Sequence, residues 1–253
     1  MFGFIGLKLE QSTMQFYSKS TQFTELNVHE ISEQFCKLFP KSTLEEAYET
    51  FSWGKAKSSV DATTVRHAIY KEFSSWANSK NLKPNASEQI QKVHKWGFGR
   101  NLDKREANLL EDPHLTYFLD MIQTWQISQD PKKMLDTLEK CLLTPYVKIA
   151  RFSKWICFID QSKYAIYDSR VSLALRTISL KHKRVFPTLG AKSEGRPNGD
   201  YISRNPQIAA EKIAGCYMLY LDILHTTLGE YDLSSVAQME MALFMLGPRK
   251  EYW

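Results

Sequence analysis

Lys148 and Asp168 are the two residues whose types and separation best suit covalent chemistry in this chain. Lys148 follows a short Thr144-Pro145-Tyr146 turn and lies on a segment of helical period. Asp168 closes an apolar Ala165-Ile166-Tyr167 run, twenty residues further on, and opens another helix. An amine and a carboxylate separated by one helix and one connection can converge on a single cleft. One chemistry open to such a pair is cleavage of the bond between a sugar and a base. That reaction builds positive charge on the sugar, and a fixed carboxylate both stabilises the charge and can activate a nucleophile. A lysine whose proton is lost through burial can instead attack the sugar carbon and form a Schiff base.

Each residue also has a plainer reading. Asp168 suits an N-cap, where it would accept backbone N–H bonds and the helix dipole would favour its ionised form. Lys148 is equally suited to a phosphate contact or to a solvated face. If it does not attack, water does, and the product is a plain abasic site without a strand cut.

Extruding a base leaves a gap to fill and a ring to stack against. Trp53, Trp96, Phe98, Trp155, Tyr167 and Tyr201 could provide such walls, although aromatics at helical spacing usually belong to a core. Trp96 and Phe98 lie in His94-Lys95-Trp96-Gly97-Phe98-Gly99-Arg100, where glycines flank an aromatic beside cations. His94 could donate to a base edge or be structural. Lys92–Arg105 carries five Lys or Arg against Asp103, and Lys181–Arg204 carries six against Glu194 and Asp200. Clusters of this kind fit a phosphate backbone, or an ordinary solvated face. The Gly190–Gly199 loop is basic and rich in glycine, suited to ordering on a ligand.

The elements that must hold these residues read as helices. Ile31, Phe35, Leu38 and Phe39 share one stripe that stops at Pro40. Asp61 is the expected cap of a long helix burying Val65, Ala68, Ile69, Phe73 and Trp76. Ser87 is expected to open the next, running to Trp96-Gly97, with a polar loop from Gly97 to Pro113. Leu115, Phe118, Leu119, Ile122 and Trp125 form another apolar face. Asp130-Pro131 and Asn205-Pro206 are starts with proline at the first helical position, and Leu233-Ser234 begins a last helix ending at Gly247-Pro248. Residues 1–27 suggest a short strand or extended arm. The class is mainly α.

With 253 residues, 43% of them hydrophobic, the chain can bury a sizeable core. A mean hydropathy of −0.38 and the lack of an eighteen-residue apolar run predict no bilayer span. The opening MFGFIGLKLEQ lacks a basic region and a cleavage site, so no secretory signal is expected. Cys36, Cys141, Cys157 and Cys216 form no C-x2-C pair; reduced thiols in a cytoplasmic protein and no metal site are expected. The net charge of +5 excludes nothing by itself. No P-loop, dinucleotide fingerprint, G-x-S-x-G elbow or H-E-x-x-H occurs.

Leu142-Leu143-Thr144-Pro145-Tyr146-Val147-Lys148-Ile149-Ala150, followed by Ala165-Ile166-Tyr167-Asp168, resembles the helix-hairpin-helix base-excision DNA glycosylases (the HhH-GPD superfamily), in particular the 8-oxoguanine glycosylase branch. That family has a hairpin of the form L-P-G-V-G-x-K-x-A, a helix, and an apolar run ending in V-D. Here both hairpin glycines are absent, so any grip on a phosphate through close backbone approach differs.

The resemblance implies a two-lobed helical bundle with a cleft. One lobe spans 28–165, with a hairpin near 141–155, and the other comprises 1–27 plus 166–253. It implies Asp168 and Lys148 as catalytic residues and Trp96, Phe98 and Tyr167 around the base. DNA would be held by Tyr146, Val147, Arg151, Lys154, Arg170, Lys95, Arg100, Lys192 and Arg196. The implied protein is a monomer acting on double-stranded DNA, without cofactor or membrane. It would excise a damaged or modified base, with modified phage DNA as one target. A non-catalytic DNA-binding module and a helical protein–protein adaptor are the alternatives.

Overall fold

Side-chain caps start several of the helices in this structure, a computed structural model that describes residues 28–54, 58–104, 106–144, 148–180, 183–190 and 202–249. Among these residues the helices are α1 (Val28–Leu38), α2 (Lys41–Glu49), α3 (Ser59–Ala77), α4 (Ala86–Phe98), α5 (His114–Ile127), α6 (Pro131–Leu142), α7 (Ile149–Ile159), α8 (Ser169–Ala174), α9 (Pro206–Thr227) and α10 (Val236–Leu246). The chain is mainly helical. The described strand is a single antiparallel pair, β1 (Ser179–Leu180) with β2 (Lys183–Arg184), in the register Ser179 to Arg184. The arm expected over 1–27 lies outside the described residues.

The two proline starts form as the sequence predicts. Asp130 accepts the N–H of Lys132 ahead of α6, and Asn205 accepts those of Gln207 and Ile208 ahead of α9. Other boundaries move. Ser58, not Asp61, caps α3: its extended backbone turns the hydroxyl onto the N–H of Asp61, which sits inside the first turn. Ser235 performs the same task for α10. The segment expected to be a loop from Gly97 contains a 3-10 turn, Glu106–Leu110, and α4 ends at Gly99 with φ of 70°, a left-handed position that suits glycine.

α3 buries Phe73 and Trp76 as expected, with Ile69 half-buried, but its N-terminal half faces differently. Val65 is 51% exposed, and Ala68 is exposed as well, while Arg66 is buried. Helical period alone assigned the face by counting apolar side chains. It could not see Glu240, on α10, which receives the Arg66 guanidinium at 2.6 Å.

α7 is buried on every side from Arg151 to Ile159, as befits a central helix. It packs against α3, α4, α5 and α9. α5 packs on α6, and α6 on α9. α10 packs on α2, α8 and α9, and α1 on α9, so α1 and α2 lie against C-terminal helices rather than with the segment up to 165.

The extended run that delivers Asp168 has no strand partner among the described residues, and side chains bond to its backbone. Tyr217 and Tyr220 of α9 donate hydroxyls to the carbonyls of Ala165 (2.8 Å) and Ile166 (3.2 Å). The Ser153 hydroxyl of α7 accepts the N–H of Tyr167 at 3.0 Å. Asp168 is therefore placed by two helices before its own begins.

Candidate active site

Asp168 is the N-cap of α8, as its position after the apolar run suggested. Oδ1 accepts the N–H groups of Arg170 (3.0 Å) and Val171 (3.2 Å). Oδ2 accepts a hydrogen bond from the Lys154 ammonium at 3.2 Å. The carboxylate is nearly enclosed, with 13% of its side chain exposed. Burial alone would raise its pKa. The Lys154 charge and the N–H groups of α8 outweigh burial and hold it below the ordinary carboxylate value.

The lysine that meets Asp168 is Lys154, not Lys148. Lys148 is the exposed N-cap residue of α7 and makes no side-chain cap bond. Six residues of helix separate the two, a rise of about 9 Å, and their side chains leave α7 in different directions. Lys154 lies beneath α4. Its ammonium also donates to the Ala150 carbonyl at 3.2 Å and stands 5.1 Å from the centroid of the Phe98 ring.

A second cluster adjoins this one. Glu106, from the 3-10 turn, accepts both arms of the Arg100 guanidinium (2.6 and 2.8 Å) and a further hydrogen bond from Arg151. It also accepts the N–H of Asp103 at 3.0 Å. Burial would raise the Glu106 carboxyl, but these partners bring it down to about 2. Burial lowers the Arg151 guanidinium, with Glu106 pulling it back. His94 stacks on Phe98 with centroids 4.7 Å apart, and its Nε2 lies 3.6 Å from Glu106. Burial and the nearby Arg151 push the imidazole down to about 4, so it is neutral at pH 7.

No family model matches this chain, no curated protein matches it, and no solved structure matches its fold. What the site can do therefore rests on its geometry.

Of the three aromatics expected around a base, Phe98 is the one at the surface, 38% exposed. Tyr167 is fully buried and donates its hydroxyl to the Pro187 carbonyl at 2.9 Å. Trp96 packs edge-on against Phe158, beneath the Arg66 guanidinium, and its carbonyl accepts the Trp53 indole N–H at 2.8 Å. Tyr167 belongs to the core, and Trp96 is half-buried against it. Arg170 lies over Phe244 at 4.5 Å, and Arg151 belongs to Glu106.

Lys95 is exposed on α4, and Arg100 is half-exposed while bound to Glu106. Tyr146, Val147, Lys192 and Arg196 lie outside the described residues. Part of the basic cluster is neutralised locally, since Lys92 pairs with Glu72 and Glu88.

Glu106 escaped sequence reasoning because it stands one residue beyond the basic run. An acidic residue directly after five cations is the signal that could have found it. Nothing local announces Glu240, which meets Arg66 across the fold.

Among the described residues, no group of His, Cys, Asp and Glu is arranged to hold a metal ion, and no helix is long and apolar enough to cross a membrane.

Proposed function

We propose that this chain is a DNA glycosylase of the helix-hairpin-helix type that excises a damaged or modified base by hydrolysis. The observation that carries the reading is Asp168: an enclosed carboxylate held ionised by a lysine and by the N-terminus of α8. As the N-glycosidic bond breaks, its electron pair leaves with the base and the sugar becomes cationic. A fixed anion facing that carbon lowers the barrier, and it can accept a proton from the attacking water. Water supplies the oxygen, the base nitrogen takes up a proton, and an abasic site remains.

The contacts of Lys154 favour this hydrolytic route over a Schiff base. Its ammonium faces a carboxylate, a carbonyl and the face of an aromatic ring, all of which attract a cation. An amine nucleophile needs a free lone pair. Lys148, exposed at the head of α7, fits a phosphate contact beside the α6–α7 connection that the hairpin resemblance spans. Phe98, beside Lys95 and Arg100, is the surface aromatic suited to stacking on nucleic acid. In this reading the cleft lies between two lobes, and the protein works as a monomer on double-stranded DNA.

The test is base release from a panel of oligonucleotides carrying damaged bases and from modified phage DNA. Wild type should leave alkali-labile sites, and Asp168→Asn should abolish them without unfolding the protein. Borohydride should trap no covalent adduct. Absence of any released base from every substrate sinks the reading.

The small exposure of Asp168 favours a second reading, a non-catalytic DNA-binding module in which the residue only caps α8. Such a module would bind DNA with steep salt dependence, and Asp168→Asn would leave that binding unchanged.

A further inference from the structure

We propose that Gly97 is a positioning residue: by lacking a side chain it opens the path along which Lys154 crosses α4 to reach Asp168. The α4 helix approaches α7 at Gly97, where the lysine stem passes. A Cβ built on Gly97 would lie 2.5 Å from Lys154 Cδ and 2.7 Å from Cε. Backbone freedom is not the reason for glycine here, because Gly97 lies inside α4. Space is. The next residue, Phe98, sets its ring over the ammonium that the missing side chain admits. Gly97 and Phe98 thus act as a pair, one opening the channel and the other covering its end.

The nature of the clash defines the role. The obstructed atoms belong to a side chain, so an alanine at 97 displaces Lys154 and leaves the two helices in place. Lys154 is itself 4% exposed and has no second route to Asp168 through solvent. Displacing the ammonium strips Oδ2 of its partner and leaves the carboxylate with burial and the two N–H groups of α8. The effect of a methyl group on α4 is therefore transmitted to a residue it does not touch. In the glycosylase reading, on which the catalytic part of this inference rests, Gly97 sets how strongly Asp168 is held ionised when the sugar becomes cationic.

A double-mutant cycle on the full chain tests this with Gly97→Ala, Lys154→Ala and both together. The readouts are thermal stability, the titration of the Asp168 carboxyl by carbon NMR (assigned by its loss in Asp168→Asn), and the rate of base release at saturating DNA. Gly97→Ala alone should move the Asp168 titration upward and slow base release by about tenfold or more, with DNA affinity nearly unchanged. Once Lys154 is truncated, adding Gly97→Ala should change nothing further. If Gly97→Ala alone does not fold, the double variant should fold.

A shift caused by Gly97→Ala that persists undiminished in the Lys154→Ala background overturns the proposal. So does the absence of any shift in either background, or failure of the double variant to fold. Wild type that releases no base would refute the glycosylase reading alone, since the titration and stability arms report on the Gly97–Lys154–Asp168 arrangement without it.

Discussion

Asp168 and Glu240 both lie inside this protein beside a cation, and burial pushes both toward the neutral form. Glu240 ends above its ordinary value and Asp168 below. Glu240 sits within α10, where the neighbouring backbone N–H groups belong to the helix. Its partner is the Arg66 guanidinium, which also donates to the Cys157 sulfur at 3.2 Å. Both members of that pair are sealed, with 2% of each side chain exposed. Asp168 stands at a helix start, where unused N–H groups converge on it and the dipole presents its positive end. The Lys154 charge is the largest influence lowering Asp168, and the α8 backbone donors add to it; Glu240 has its cation but no such donors, and the Asp168 charge raises it further. The sealed pair fastens α3 to α10, whereas Asp168 caps α8 and keeps a pKa below the ordinary carboxylate value.

The largest effect should come from breaking the sealed pair on one side. Arg66→Met leaves Glu240 without its cation and should cost about 3–5 kcal/mol of unfolding free energy in denaturant titration. Replacing both residues with apolar ones of similar volume should recover most of that loss. A double variant as unstable as the single one would mean that the charges, and not the filled volume, hold α3 to α10.

Gly247 offers the next break, and it touches both regions because α10 carries Glu240 and ends at Gly247. A Cβ there would overlap the backbone carbonyl oxygen of Arg170, in the first turn of α8. Backbone cannot swing aside as the Lys154 stem can. Gly247→Ala should therefore cost about 1–3 kcal/mol or more, read as a lowered melting temperature. It should also loosen the cap at Asp168, raising that residue's titration. Tolerance of alanine at 247 would show that α8 and α10 are less tightly seated than described.

The opposite shifts of the two carboxylates make opposite predictions for stability against pH. Asp168 has a depressed folded pKa, so its contribution is present above pH 3.8 and fades as the pH falls through the folded value. Glu240 has a raised one, so its penalty is present at high pH and relieved as the pH falls toward 4.5. Asp168→Asn should flatten the acid loss of stability, and Glu240→Gln should deepen it in the interval above pH 4.5.

His94 and Glu106 act in the same direction as Asp168. The imidazole is pushed from 6.5 to about 4 and the carboxyl from 4.5 to about 2, so the unfolded chain binds more protons. Stability should fall as the pH drops from neutrality through this range, and His94→Gln should remove the earlier part of the fall. A flat profile between pH 6.5 and 4 would contradict the burial of a neutral imidazole.

The smallest effect belongs to the surface. Lys92→Ala removes two exposed ion pairs with Glu72 and Glu88 and should change stability by less than about 1 kcal/mol. If the proposed DNA binding holds, its influence there should also be weak, because the charge is already compensated. A large loss of affinity would return the Lys92–Arg105 run to the status of an intact phosphate footprint.

Features that depend on a few consecutive residues were legible from the sequence. Asp130-Pro131, Asn205-Pro206 and Asp168 all start helices as read, because a cap uses a side chain and the N–H groups two or three residues on. The mainly helical class followed from the same periodicity. Inward and outward faces were less secure. Arg66 points in and Val65 out because the occupant of the facing surface, Glu240, lies 174 residues away.

The Lys154–Asp168 pairing shows the same division. The amino-acid order alone established that an aspartate would open α8 after an apolar run, and that it would meet backbone donors there. Which lysine stands opposite was decided by tertiary packing. α7 turns Lys154 toward Asp168 and leaves Lys148 in solvent, and α4 supplies the gap at Gly97 through which the Lys154 stem passes. A cap is satisfied within one turn of its own chain, but a buried cation takes whatever space and counter-charge distant helices leave for it.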